Sequence, residues 1–564
     1  LDTINPQRPF AYQPGAEQRS LPAAHAVRPV AVVGAGPVGL TAAVDLAQRG
    51  VPVVVLDEDD TLAAGSRAIC FAKRTLDILD RLGCGERVAA KGVSWHVGKV
   101  FFGDEQVYRF DLLPEAGHRR PAFVNLQQYY LESFLVERAA EVPGIELRWR
   151  HRVTGVAPGQ DKVALTVSTP DGDYVLHARY VVAADGAHSA VRRSLGLESR
   201  GRVFHDRFLI ADVKMAAPFP AERWFWFDPP FNPGRSALLH RQPDDVWRLD
   251  FQLGWDADPE TEKQPERVIP RIRAMLGEDV AFTLEWVSVY TFCCQRMDAF
   301  RHGRVLFAGD AAHRVSPFGA RGANSGVQDA ENLAWKLALV LAGHAGDALL
   351  DSYASEREAA ADENIRHSTR STDFITPKSA MSRTFRDAVL RLARRHAFAR
   401  QLVNSGRLSL PTVLGDSPLN TPDRDVFAGA MVPGAPCVDA PLQRHGDAQP
   451  GWLLGELGND FTLLVFSGGR AVPAEARRRL ATAAVPVRLL FVMPPGQPAA
   501  PSDGLRHVSD AEGLAARRYD GRPGTCYLIR PDQHVCARWR AFDAEAVQAA
   551  LLRALCLPAD GQLH

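Results

Sequence analysis

The chain has 564 residues, enough for about three domains and a sizeable buried core. Lysine plus arginine total 66 and aspartate plus glutamate total 66, so the formal net charge is zero and nothing in it asks for nucleic acid or an anionic membrane. The longest apolar helical stretch, Leu333–Ala342, is broken by Lys336 and too short to span a bilayer, and no basic-then-apolar leader opens the chain. We therefore expect a soluble, cytoplasmic protein. Its eight scattered cysteines, with Cys293–Cys294 the one close pair, read as reduced buried thiols and not as a metal site.

Residues 1–27 are rich in Pro, Gln and Ala and predict an extended arm or a disordered tail. An apolar run, Val30–Val33, then leads into Gly34, Gly36 and Gly39 at G-x-G-x-x-G spacing. Gly34 permits a tight turn, Gly36 lets a pyrophosphate approach the backbone, and Gly39 lets the next helix pack against the strand. That helix, Leu40–Arg49, aims its free N–H groups at the phosphates. A second apolar run, Val51–Leu56, ends at Asp57, where a carboxylate accepts from ribose hydroxyls, with Glu58 beside it. Strand, helix, second strand and acid together predict a dinucleotide-binding unit. Arg67 follows, placed to reach a phosphate or ribose, or else a surface arginine.

Lys73–Leu82 has a helical pattern, Val93–Leu113 reads as short aromatic strands, and Gln127–Glu141 as an amphipathic helix. Ile145–Leu176 reads as three antiparallel strands. Two further strand ends carry acids. Tyr180–Ala184 runs into Asp185-Gly186, and Val305–Ala308 into Gly309-Asp310. After the second come Pro317, Gly319, Gly322, Ala323 and Asn324, then a helix, Val327–Ala342. Asp310 suits a sugar-chain hydroxyl, and the loop and helix start offer N–H donors to a bound ring.

These three stretches together resemble the single-component flavoprotein aromatic hydroxylases of the para-hydroxybenzoate hydroxylase and phenol hydroxylase type, most closely the branch acting on 3-(3-hydroxyphenyl)propionate. The resemblance covers nearly the whole chain. It implies an α/β fold in which a Rossmann-like FAD-binding domain (28–203 and 297–410, with 93–118 contributing to the substrate side) is interrupted by a β-sheet substrate domain (204–296). A linker and thioredoxin-like domain (411–564) follow. FAD would be held by Gly34, Gly36, Pro37, Gly39, Asp57, Glu58, Arg67, Gln128, Asp185, Gly186, Asp310, Gly322, Ala323 and Asn324, with Pro317 beside the flavin ring. Many relatives carry Gly-Gln-Gly where this chain has Ala320-Arg321-Gly322.

The implied activity is hydroxylation of a phenolic ring in aromatic catabolism, using NADH or NADPH and O₂ through a flavin C4a-hydroperoxide. The rivals are a polycyclic or antibiotic-like substrate on the same fold, and a non-catalytic flavin-binding scaffold. In the middle segment, Arg223–Phe227 reads as a strand with aromatics on both faces, and Leu238–Gln252 as a hairpin turning at Pro243-Asp244-Asp245. His240 and Tyr290 are candidates for the phenolic proton and Arg241 for a substrate carboxylate. The alternative for each is a packed core residue. No C-x-x-C occurs in the last domain, so a packing module, or a dimerisation module that would make a homodimer, is expected there.

Overall fold

The computed structural model describes residues 9–19, 26–63, 65, 67–403, 409–444, 450–468, 472–496 and 505–558. The glycine-rich unit builds the first sheet. Strand Val27–Val33 pairs in parallel with Val53–Leu56 on one side and with the end of Tyr174–Ala183 on the other. Val305–Phe307 and Ile145–Arg148 extend the sheet outward, both parallel to their neighbours. These strands are short apolar runs because a parallel sheet is covered on both faces. The helices Pro37–Gln48 and Gly322–Leu341 pack together, with Val38 against Gly309 and Gly326.

Two expectations change here. Ile145–Arg148 belongs to the parallel layer, and the three antiparallel strands are Arg152–Pro158, Val163–Ser168 and Tyr174–Ala183. The described part of the N-terminal arm, 9–19, is docked. Phe10 stacks on Trp149 with centroids 4.2 Å apart, and buried Glu17 pairs with Arg148 at 2.8 Å. The remainder of that arm lies outside the described residues.

The second sheet runs in the order His313–Arg314, Thr283–Met297, Ser199–Lys214, Val246–Gln252, Ser236–Arg241, Arg223–Phe227, Val97–Phe102, Glu105–Asp111. Alternation sorts its residues. One face, with Leu209, Ala211, Leu239, Trp247 and Leu249, packs on the helix Pro265–Leu276. The other face carries Phe208, Phe225, Phe227, Leu238 and Phe292 and meets Phe318, Ile375 and Leu390. A small sheet of Cys70–Ala72, Phe123–Asn125 and Val93–Trp95 lies at its border with the first domain.

The C-terminal sheet has Arg506–Ser509, Val487–Met493 and Phe461–Phe466 in parallel, then Cys526–Ile529 and Val535–Trp539 antiparallel. Its core takes in Trp335 and Leu349 from helices of the first domain. At the hairpin turn, Arg530 donates to Glu356 at 2.6 Å and to Asp532 at 2.9 Å, and Lys336 donates to Glu356 at 2.6 Å, all buried. Asn332 and the Asp532 carboxylate meet at 3.1 Å. The domain thus packs within the chain, through buried charge as well as apolar area.

Candidate active site

The glycine loop has the geometry its spacing predicts. Gly34 has φ +102°, and a side chain there would strike the Ala184 carbonyl; one at Gly39 would strike the Gly34 carbonyl. At Gly36 an added Cβ meets no atom within 4 Å, so this part of the loop is open to a ligand. Pro37 occupies the first helical turn, where its missing N–H costs nothing. Asp57 accepts from Ala35 N at 2.5 Å and from Asp59 N at 2.9 Å. Burial pushes its carboxyl up to about 6, against those two backbone hydrogen bonds. Each oxygen keeps a lone pair for a hydroxyl. Glu58 points away, exposed and paired with Arg152 at 3.2 Å.

Gln128 and Glu132 clamp the loop that follows. Gln128 accepts from Ala68 N at 3.0 Å and donates to Glu132 at 2.8 Å, while Glu132 accepts from Ala63 N at 2.7 Å. Arg67, on that loop, has an exposed side chain. Asn324 has a similar structural duty. It accepts from Ala72 N at 2.8 Å and Thr75 Oγ1 at 2.6 Å, and donates to Cys70 O at 2.8 Å and Ala320 O at 2.5 Å. With its hydrogen bonds so occupied, the Asn324 side chain joins the small sheet to the loop before helix Gly322–Leu341.

The two acidic turns are tied to each other. Asp185 accepts from Val191 N at 3.0 Å and leaves Oδ1 buried without a partner. Ser189 caps the short helix by accepting from Arg192 N at 2.9 Å. Arg192 then donates to Ala311 O and Ala187 O, each at 2.7 Å. Asp310 is exposed, with protein packed around it. Burial raises its carboxyl, against the charges of His313 and Arg314. Gly186 faces open space. Pro317 is exposed in the turn Pro317–Gly319, and Gly322 and Ala323 open the next helix half-buried, with no side-chain cap at its start. Arg321 is buried, with its guanidinium lying where a Cβ on Gly319 would sit.

A residue without a motif organises this corner. Asp329 accepts from Gly309 N at 3.0 Å and from Arg357 Nε at 2.6 Å, and meets His313 Nε2 at 2.7 Å. Burial alone would raise it, but His313 and Arg357 bring it down to about 2. The available signal was compositional. Helix Gly322–Leu341 carries Asp329, Glu331, Asn332 and Lys336, all buried, and so has no solvated polar face.

On the second sheet, Tyr290 is 42% exposed, yet close enough to Asp310 for their charges to interact. His240 is buried, and its ring is held neutral by burial and by Arg223 and Arg248. Arg241, the next residue, points to the opposite face, 5.7 Å from the Trp247 ring and 3.6 Å from Asp245. The structure therefore puts Tyr290 within electrostatic range of Asp310, keeps His240 below the surface, and turns Arg241 to the opposite face of the sheet.

This arrangement fits FAD. Open backbone at Gly36 suits a pyrophosphate, Asp57 and Asp310 offer acceptors for hydroxyls, and the orphaned Asp185 oxygen lacks a donor. The model for the FAD binding domain matches residues 28–368, and that for the HcaD C-terminal domain matches 452–554. The chain is 31% identical to 6-methylpretetramide 4-monooxygenase of Streptomyces rimosus over 556 residues, 94% of each chain. It is 34% identical to a probable NADH-specific resorcinol 4-hydroxylase of Rhodococcus jostii over 355 residues, 62% of this chain and 64% of that one. The flavin-dependent monooxygenase PieE, solved with FAD and substrate, superposes with a TM-score of 0.80 at 25% identity, over 95% of this chain and 100% of its own. With a family match across more than half its length, the chain belongs to the FAD binding domain family and is a flavin-dependent aromatic hydroxylase.

Proposed function

We propose that the chain hydroxylates a phenolic ring held between the loops around Asp310 and the aromatic face of the second sheet. The supporting observation is that the turn after Asp310 meets that face directly. Phe318 packs on Phe208 and Phe292 with centroids 4.9 and 5.1 Å apart. FAD held here would supply a hydride acceptor for NAD(P)H and the means to activate O₂ for transfer of one oxygen atom to the ring. In this reading Gly34, Gly36, Gly39 and Asp57 hold its adenosine half, and Asp185, Asp310 and the start of helix Gly322–Leu341 its flavin half. Tyr290 orients the ring by its hydroxyl, and the phenylalanines exclude water. The reaction belongs in the cytoplasm, where NAD(P)H is supplied.

A second reading, a fused polycyclic phenol, is favoured by the match to 6-methylpretetramide 4-monooxygenase, which spans both domains while the resorcinol hydroxylase match covers less. A panel of single-ring and fused-ring phenols tests both. Stimulated NADH or NADPH oxidation with isotopic oxygen from O₂ in the product supports hydroxylation, and the faster ring class names the substrate. No stimulation by any phenol would contradict it.

A further inference from the structure

The residues of the second sheet fall into rows on the face toward the FAD side. One row is polar: Arg223, His240, Arg248 and Asp212 stand on four neighbouring strands, and all four are buried. Another holds Gln252, Phe208 and Tyr290. Between them lies the row Phe225, Leu238, Asp250 and Ile210. In this middle row Phe225, Leu238 and Ile210 are buried, but Asp250 is only half-buried. Its Oδ1 is buried without a partner.

Two loops approach this face from the FAD side. Arg67 O accepts from Arg248 at 3.3 Å, next to the polar row, and Phe318 covers Phe208 in the other. Asp250 lies between these two points of contact. Arg248 is engaged with Asp212 at 2.9 and 3.1 Å, whereas Arg223 Nη1 and His240 Nδ1 are buried without partners. A half-open carboxylate flanked by guanidinium groups has two uses: to accept a proton, and to leave the resulting anion facing positive charge.

We propose that Asp250 is a catalytic residue that takes the proton of the substrate's ring hydroxyl. The inference rests on the phenolic reading above. The substrate O–H bond breaks, an O–H bond forms on Asp250, and the electron pair stays on the phenolate oxygen, opposite the positive charges of Arg223 and Arg248. The hydroxyl becomes more acidic as its ring gives up electron density, so a moderately weak base suffices. The charged and titratable groups facing Asp250 are Arg248 on its own strand, Asp212 and His240 on the two adjoining strands, Arg223 one strand further, and Cys70 from the small sheet. Burial raises the carboxyl, against Arg248 and Arg223, to about 6. It is therefore a carboxylate, able to accept, above that pH.

The test compares holoenzyme and Asp250→Asn on two phenols, one un-ionised at the assay pH and one nitro-substituted and already ionised. We expect kcat to fall about 10²–10⁴-fold on the first and less than about tenfold on the second. The acidic limb of kcat near pH 6 should vanish in Asp250→Asn and persist in Asp250→Glu. Equal losses on both phenols, or no loss on the first, would overturn the assignment. Should Asp250→Asn fail to fold, the Asp250→Glu profile decides alone, and an acidic limb missing from it would also overturn it. Wild-type enzyme that no phenol stimulates would defeat the phenolic reading, and this proposal with it.

Discussion

Arg192 donates to the carbonyl of Ala311 at 2.7 Å, joining the turn of Asp185 to the turn of Asp310. Sequence separates these residues by more than a hundred positions, yet one guanidinium sets how far apart the two acids stand. Arg192→Leu should leave the Ala311 and Ala187 carbonyls without their donor and loosen both turns. A buried hydrogen-bonded charge lost in this way costs about 1–3 kcal/mol. We expect lower FAD content after purification, read from the ratio of flavin to protein absorbance. An unchanged ratio would remove Arg192 from the account.

Asp329 predicts a pH dependence of stability. A carboxyl lowered from 3.8 to about 2 contributes roughly 2 kcal/mol. Its folded value is depressed, so that contribution is fully present above about pH 4 and is lost as pH falls through about 2. Asp329→Asn should flatten the acid limb of a urea-unfolding series. A parallel acid limb in the variant would show that other carboxylates carry it.

Asp57 runs the other way. Its folded value is raised to about 6, so the carboxyl is protonated below that pH and acceptor capacity is lost. FAD affinity should weaken as pH falls through about 6, and Asp57→Ala should lower affinity by about 1–3 kcal/mol with no such pH dependence. Fluorescence titration of apoprotein with FAD measures both.

Removing the residues beyond about Pro422 is the cut that the expected domain organisation suggests for isolating the FAD domain. The structure argues against it, because Trp335 and Leu349 lie in the core of the C-terminal domain and Glu356 pairs with Arg530. The truncated protein should lose stability and aggregate. Arg530→Ala alone should cost about 3–5 kcal/mol, since Glu356 and Asp532 stay buried and lose its guanidinium, while Lys336 still pairs with Glu356. Chemical denaturation of the intact variant provides the number, and a loss under about 1 kcal/mol would contradict it.

What was legible in the sequence followed local rules. Gly34, Gly36 and Gly39 announced themselves by their spacing, since Gly34 has φ +102°, Gly39 has no room for a Cβ against the Gly34 carbonyl and Gly36 leaves the backbone open, and the apolar runs around them announced a covered parallel sheet. Asn324 and Gln128 were visible as motif positions, but their clamping of distant loops depends on pairings no spacing encodes. Asp329, Arg192 and Asp250 act through partners that only the assembled sheets bring near. His240 and Arg241 show the same limit. Adjacent in the chain, they lie on opposite faces of one strand, and only the register reveals which is toward the FAD side.

In the proposed reaction this fold couples NAD(P)H oxidation to oxygen transfer onto a phenolic ring. The most direct test is the coupling ratio: hydroxylated product formed per NAD(P)H consumed, with hydrogen peroxide measured in the same vessel. The account predicts that at least one phenol accelerates NAD(P)H oxidation and that most of the reducing equivalents appear as product carrying oxygen from O₂. Reducing equivalents recovered entirely as peroxide, with every phenol returned unchanged, would contradict it.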